Sequence, residues 1–154
     1  MRIGIIGAGK VGMTLGRYLM EAGIEVSGYY SRTYQSAALA ADFTKTSSFS
    51  DFRELVGASD TLFVTTPDGA ITEVWDCIAP LDIKGKIICH FSGSLSSEIF
   101  HDRQTHGASC CSIHPMYTFN DKYHSYKHFQ GTWLVMEGDE LAVSQQKVLS
   151  EGLH

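Results

Sequence analysis

Residues 1–20 read MRIGIIGAGKVGMTLGRYLM, and within them Gly7, Gly9 and Gly12 of GAGKVG are spaced G-x-G-x-x-G. The spacing by itself is common, so its surroundings decide what it means. RIGII, just before it, is an apolar run of strand length. After it, Val11, Leu15, Tyr18 and Leu19 fall at i, i+4, i+7 and i+8, one face of a helix, and Gly23 supplies a stop. In a strand–turn–helix context the three glycines serve different ends. Gly7 permits the tight turn, Gly9 lets backbone approach a pyrophosphate, and Gly12 allows close helix–strand packing. The unpaired amides at the helix start and the positive end of its dipole then face the phosphates. The expected cradle is therefore Gly7, Ala8, Gly9, Lys10, Val11 and Gly12. A GKS/GKT phosphate loop is excluded, because Lys10 is followed by Val11.

The same rhythm of apolar run, turn and helical stretch continues down the chain. IEVSGYY, TLFVTT, KIICHF, ASCCSI and TWLVME read as further strands. TYQSAALAADF reads as a helix capped by Ser31 or Thr33, and SFSDFRELVG as a short helix capped by a serine and ended by Gly57. Ile71, Val74, Trp75 and Ile78 mark one side of another helix. SLSSEIFHDRQTHG is expected to be a helix ended by Gly107, and DELAVSQQKVLSEG a last helix. Strands alternating with helices imply parallel pairing and right-handed crossovers. The expected fold is α/β: a doubly wound, mostly parallel Rossmann-type sheet with helices on both faces. Ligands bind such sheets beyond the carboxyl ends of the strands, so the informative motifs are those that follow strands.

Composition bounds the function. The chain has 154 residues, enough for one domain with a real core, and 44% of them are hydrophobic. A net charge of -5 argues against a general nucleic-acid binder. No apolar run reaches the ~18 residues of a membrane helix, and the N-terminal stretch is too short and glycine-broken for a signal peptide. The cytoplasm is then the default location. Cys77, Cys89, Cys110 and Cys111 show no C-x-x-C spacing and read as reduced thiols; no metal site is expected, and His124 and His128 read as surface residues.

Three post-strand motifs carry the remaining chemistry. The second strand ends in GYYSRT, where NAD enzymes usually place an acid that bonds the ribose hydroxyls. Ser31, Arg32 and Thr33 offer hydroxyls and a guanidinium fork instead, which suits a 2′-phosphate; the expected cofactor is NADP(H), with Arg32 discriminating. Arg32 as a solvated surface charge is the alternative. In TTPDGAI, Thr66, Pro67 and Asp68 are expected beside the middle of the cofactor, while the proline could equally just end its strand. In HFSGSLSS, Ser92 and Gly93 are expected near the nicotinamide, with Ser94 capping the next helix; Gly93 could instead supply an unusual backbone angle. In SIHPMYTF, His114 is a candidate proton donor or substrate contact, against a structural reading, and Ser92 is named with it as a catalytic candidate. His90, inside an apolar strand, reads as structural. FSGS lacks the first glycine of a nucleophile elbow, so serine-hydrolase chemistry finds little support.

With GAGKVG, GYYSRT, TTPDGAI, HFSGSLSSEIF and SIHPMYTF in place, the chain resembles the NADP-binding Rossmann-like domain of the pyrroline-5-carboxylate reductase and ketopantoate reductase type. It looks most similar to a bacterial group that joins this domain to a helical C-terminal domain. The resemblance implies NADP(H) at Gly7, Gly9, Gly12, Ser31 and Arg32, with Ser92, Gly93 and His114 bordering the reacting end. It divides the chain into the nucleotide domain, residues 1–138, and the start of a linking helix, residues 139–154, after which the sequence stops short of the helical domain. An unpartnered last helix would expose Leu141, Val148 and Leu149, leaving a homodimer as a candidate assembly. Three functions compete. The first is an oxidoreductase, or its cofactor half, moving hydride to or from a small imine or keto-acid-like substrate. The second is a non-catalytic NADP-binding regulatory or partner module. The third is a domain for another adenosine ligand such as S-adenosylmethionine, disfavoured by the missing acid after the second strand.

Overall fold

A computed structural model describes residues 1–151. Seven strands form one sheet in the order β3-β2-β1-β4-β5-β6-β7. They are β1 (Arg2–Ile6), β2 (Glu25–Tyr30), β3 (Ser47–Ser48), β4 (Thr61–Val64), β5 (Ile87–His90), β6 (Ser109–Pro115) and β7 (Leu134–Gly138). The first six pair in parallel and β7 runs antiparallel to β6. Helices α1 (Lys10–Glu21), α2 (Tyr34–Thr44), α3 (Phe52–Gly57) and α4 (Ile71–Ile78) fill the crossovers, and α5 (Glu140–Gln146) and α6 (Val148–Glu151) follow β7. The expected doubly wound, mostly parallel sheet is the one observed. Among the described residues no helix is long and apolar enough to cross a membrane.

Two hydrophobic layers hold the sheet between them, because side chains alternate across each strand. Ile3 and Ile5 of β1, Phe63 of β4, Cys89 of β5 and Ile113 of β6 face α1 and α2. Ile6, Leu62, Val64 and Ile88 face the other way, onto Leu55, Ile71, Trp75, Ile78 and Phe100. Cys89 and Cys111 are register partners with their Sγ atoms 3.2 Å apart, and burial pushes the Cys89 thiol well up from its ordinary pKa.

Several expectations change in detail. β3 is two residues long and carries no apolar signature; its trace lies in Gly28 of β2 (φ 148°), where a Cβ would run into the Ser47 carbonyl. Helix α3 is capped by Asp51, whose carboxylate accepts from the Arg53 amide at 2.9 Å, and not by a serine. The expected helix over SLSSEIFHDRQTHG is a single 3-10 turn, Ser97–Ile99, followed by turns. Tertiary contacts interrupt it. Phe100 is fully buried against Trp75, the His101 carbonyl accepts from Trp75 Nε1 at 3.0 Å, and Asp102 takes a left-handed conformation (φ 55°). Ser96, not Ser94, caps that turn. Past Asp139 the chain packs back on the sheet: Ala142 and Gln146 are fully buried and Leu149 is 7% exposed, so only Leu141 and Val148 of the three expected residues are exposed.

Candidate functional site

At the carboxyl ends of β1, β2 and β4 lies a cleft of about 590 Å³. It sits where the strand order reverses, between the half wound toward β3 and the half wound toward β7. Its floor is the turn after β1. Gly7 has φ 115° and its carbonyl accepts from Thr65 Oγ1 at 2.9 Å, which ties the turn to the end of β4. A Cβ on Gly12 would meet that same carbonyl, and Thr65 Oγ1 at 2.7 Å, so helix α1 can approach β1 only with glycine there. Below it, Tyr29 donates its hydroxyl to the Gly12 carbonyl at 2.8 Å, and its burial holds the phenol protonated, far above the usual tyrosine pKa.

Gly9 differs from its two neighbours in the motif. It is exposed, and a Cβ there would meet nothing within 4 Å. It is also the N-cap of α1, with no side-chain cap and no acid in the first helical turn. The helical ladder starts with the Met13 amide bonding Gly9 O at 3.0 Å, which leaves the amides of Lys10, Val11 and Gly12 ahead of it. A helix start left this way is an anion site in waiting.

Of the residues singled out in the sequence, Gly7, Ala8, Gly9, Ser31, Arg32, Thr33, Thr66 and Pro67 line the cleft. The Thr66 hydroxyl is buried there with no hydrogen-bond partner, a polar atom waiting for a group that the cleft would hold. Lys10, Val11 and Gly12 contribute backbone and not lining. Thr33 caps α2, accepting from the Ser36 amide at 3.3 Å. Asp68 points elsewhere: its carboxylate accepts from Ser94 Oγ at 2.9 Å and ties the loop after β4 to the loop after β5.

Ser92, Gly93 and His114 form a separate group beside the cleft lining. Ser92 is 5% exposed and its Oγ accepts from the amides of Ser94 and Leu95, both at 3.1 Å. A Cβ on Gly93 would strike the His114 ring, with Nδ1 at 2.7 Å. Gly93 takes no left-handed angle, so the glycine serves close approach of the imidazole and the backbone-angle alternative falls. His114 sits in β6 opposite Val135 of β7, half-buried. His90 is fully buried with both ring nitrogens engaged, Nδ1 accepting from the Ser92 amide and Nε2 against the Ser96 carbonyl at 3.0 Å.

Sequence reasoning did not place Tyr30, Ser36, Phe52, Glu73, Val74, Cys77 and Lys122 in the site; with Ile6, Thr65 and Ala70 they complete the lining. Tyr30 packs on Phe52 at 5.8 Å between ring centroids and forms an apolar wall. Glu73, Val74 and Cys77 follow the i, i+1, i+4 spacing of one face of α4 and could have been found from it. Lys122 comes from the long connection between β6 and β7 and carried no signal at all.

Residues 1–115 match the family described as the Rossmann-like domain. No curated protein matches the sequence. Among solved structures, the chain is similar to a Bacteroides fragilis protein provisionally described as an NADP oxidoreductase, at 22% identity and a TM-score of 0.83, over 99% of this chain and 57% of that one. An imine reductase from Pseudomonas sp. gives 21% identity and a TM-score of 0.78, over 96% and 51%. A 3-hydroxyisobutyrate dehydrogenase from Mycobacterium tuberculosis, solved with L-serine, gives 17% and 0.77, over 99% and 51%. The chain thus spans about half the length of these structures. At such identities the likeness is one of fold.

Proposed function

The chain belongs to the Rossmann-like domain family, and from that premise we propose that its cleft binds NADP(H) and serves an oxidoreductase acting on a small imine or keto-acid-like substrate. The finer kinship, with the pyrroline-5-carboxylate and ketopantoate reductase type, belongs to the same proposal. One observation carries it: the end of β2 presents Ser31, Arg32 and Thr33 to the cleft, with no carboxylate in that turn. A carboxylate there would repel a 2′-phosphate, whereas a guanidinium grips one through two parallel hydrogen bonds. Similarity to proteins described as an NADP oxidoreductase and an imine reductase supports the same reading.

The chain's own groups divide the work. The amides that open α1 bind the diphosphate, helped by the positive end of the helix and by the open space over Gly9. The unpartnered Thr66 hydroxyl bonds the middle of the ligand. Tyr30, Phe52 and Val74 give the adenine an apolar wall that excludes water. When bound, the nicotinamide supplies or accepts the hydride. In this reading His114, whose ring packs against Gly93, hands a proton to a substrate, while Ser92 positions the loop that presents Gly93.

Thermal melting of the full chain with NADPH or NADH tests the reading. A ligand present at a hundred times its Kd stabilises the fold by about 2.7 kcal/mol, so NADPH is expected to raise the Tm well above NADH at equal concentration. Arg32→Ala is expected to erase the difference. Equal shifts with both cofactors in the unmodified protein, or none with either, would overturn it. NADPH oxidation against a panel of imines and keto acids then separates an enzyme from a cofactor-binding module.

A further inference from the structure

We infer that Lys122 is a second cation for the 2′-phosphate, reaching the cleft from the β6–β7 connection and setting NADP(H) selectivity together with Arg32. The inference rests on the NADP(H) reading above and adds a residue from a part of the chain far from the nucleotide motifs. Arg32 and Lys122 line the same cleft, 90 residues apart in sequence, and Ser36 lines it with them. Thr33 has its hydroxyl engaged as the helix cap, donating to Ser36 Oγ at 2.8 Å. The groups of the lining left for an anion are therefore the two cations, the Ser31 and Ser36 hydroxyls and the start of α2, whose first turn carries no acid; the one carboxylate of the lining, Glu73, belongs to α4. Two cations and a helix start around hydroxyls are a set for a dianionic phosphomonoester. The turn after β2 and the first turn of α2 offer a plain ribose diol no carboxylate.

Lys122 is exposed, but the backbone that carries it is held in place on both sides. The preceding Asp121 turns its carboxylate back onto the residues that follow, accepting from the amides of Tyr123 at 2.6 Å and His124 at 3.0 Å and from His124 Nδ1 at 3.0 Å. Those hydrogen bonds hold the Asp121 carboxyl below its ordinary pKa, first through the Tyr123 amide and then through His124. The following Tyr123 packs edge-on against Phe43 of α2 at 5.2 Å. Ser125 is buried, its Oγ accepting from the Asp121 amide at 3.1 Å and its carbonyl from the Tyr117 hydroxyl at 2.8 Å. Both neighbours of Lys122 in the chain are thus tied down, and its backbone is fixed beside α2 while the ammonium is left for the cleft. The connection begins directly after β6, which carries His114, so one segment links the reacting end to the adenosine end.

Binding of NADPH and NADH to the full chain, followed by calorimetry at two ionic strengths, decides the matter with Lys122→Gln, Arg32→Gln and a control, Lys127→Gln. Lys127 is an exposed lysine of the same connection that does not line the cleft. Lys122→Gln is expected to weaken NADPH about tenfold, leave NADH within about twofold, and reduce the salt dependence of NADPH binding. Lys127→Gln is expected to change nothing, and the ligand-free Tm of both to stay at that of the unmodified chain. NADPH affinity unchanged by Lys122→Gln, or NADPH and NADH weakened alike, overturns the inference. If Arg32→Gln abolishes selectivity while Lys122→Gln leaves it intact, the inference falls and the NADP(H) reading survives without Lys122. If the unmodified chain does not prefer NADPH, both fall together.

Discussion

The two halves of the sheet treat their polar groups in opposite ways. Around β1, β2 and β4 those groups are left over: α1 has no side-chain cap, Thr66 Oγ1 is buried without a partner, and Arg32 makes no salt bridge among the described residues. Around β5, β6 and β7 they are consumed. The Glu137 carboxylate accepts from the Ser97 amide and from the hydroxyls of Ser97 at 2.9 Å and Ser112 at 2.8 Å. Asp139 takes Arg103 through Nε at 2.8 Å and Nη2 at 3.1 Å, together with the Cys110 amide at 2.8 Å. Buried polar groups without partners cost stability; Thr14 Oγ1 and Gln146 Oε1 are also unpartnered, but of the three only Thr66 lines the cleft, where a ligand can complete it. The first region is built to be completed from outside, and the second to hold its own shape.

The hardest test of that contrast is steric and lies within one motif. Gly12→Val would drive a branched side chain into the Gly7 carbonyl and Thr65 Oγ1, backbone and short side chain that cannot yield. A loss of about 3 kcal/mol is expected, the upper end for overpacking. For a domain of this size that lowers the Tm by roughly 6–12 °C. Gly9→Ala, three residues away, meets open space. It should melt with the unmodified chain yet lose dinucleotide affinity at least tenfold, because the methyl stands where phosphate approaches. If Gly9→Ala binds normally, the cleft is not completed by a diphosphate.

A smaller and pH-dependent effect is expected in the closed region. Asp139→Asn keeps the acceptor for the Cys110 amide but removes the charge opposite Arg103. The side chains are 22% and 11% exposed, so about 2 kcal/mol is expected, below the range for fully buried pairs. The Arg103 guanidinium, and with it the Cys110 amide, holds the Asp139 carboxyl below its ordinary pKa against the opposing effect of burial. For Glu137 burial pushes upward, but the Ser97 amide and the two hydroxyls outweigh it and the net shift is also down. Carboxyls depressed in the folded state stabilise it above their unfolded values near 4, and that contribution disappears as pH falls through the folded values. Urea titrations of the unmodified chain should therefore steepen in their loss of stability below about pH 4. Asp139→Asn should be less stable at pH 7 and flatter in acid. NADPH affinity at pH 7 should stay within about twofold, since neither carboxylate touches the cleft.

The two regions also differ in how far they could be read from the sequence. In the open region the ligand groups follow strands directly and belong to short local patterns, so Gly7, Gly9, Arg32 and Thr66 were legible as soon as the strand rhythm was. Lys122 was not, because a long connection brings it across α2 and nothing local marks the return. In the closed region propensity misled. SLSSEIFHDRQTHG reads as a helix, but burial of Phe100 on Trp75 and the left-handed Asp102 break it after one turn. β3 escaped because two serines at a sheet edge need no apolar side chain. Leu149 escaped because helix α6 turns it inward, onto the layer that also covers α1.

The mildest substitution separates the two regions where they meet. Ser92 lies just past the carboxyl end of β5, next to Gly93, against which the His114 ring packs, and a hydroxyl there invites a chemical role. Its Oγ, however, accepts two backbone amides and stands 3.3 Å from Ser94 Oγ, which in turn donates to Asp68. An oxygen used this way closes a turn and has little left for a substrate. Ser92→Ala should then cost about 1 kcal/mol, the usual value of such hydrogen bonds, and lower the Tm by a few degrees. It should leave NADPH affinity unchanged and reduce turnover, where turnover is found, only in step with misplacement of Gly93 and His114. Ser92→Thr, which keeps the acceptor, should restore both. If instead the alanine variant keeps its Tm and loses turnover by two orders of magnitude, the serine meets the reacting atoms. The boundary between the completed and the self-sufficient halves then lies one strand further along the sheet.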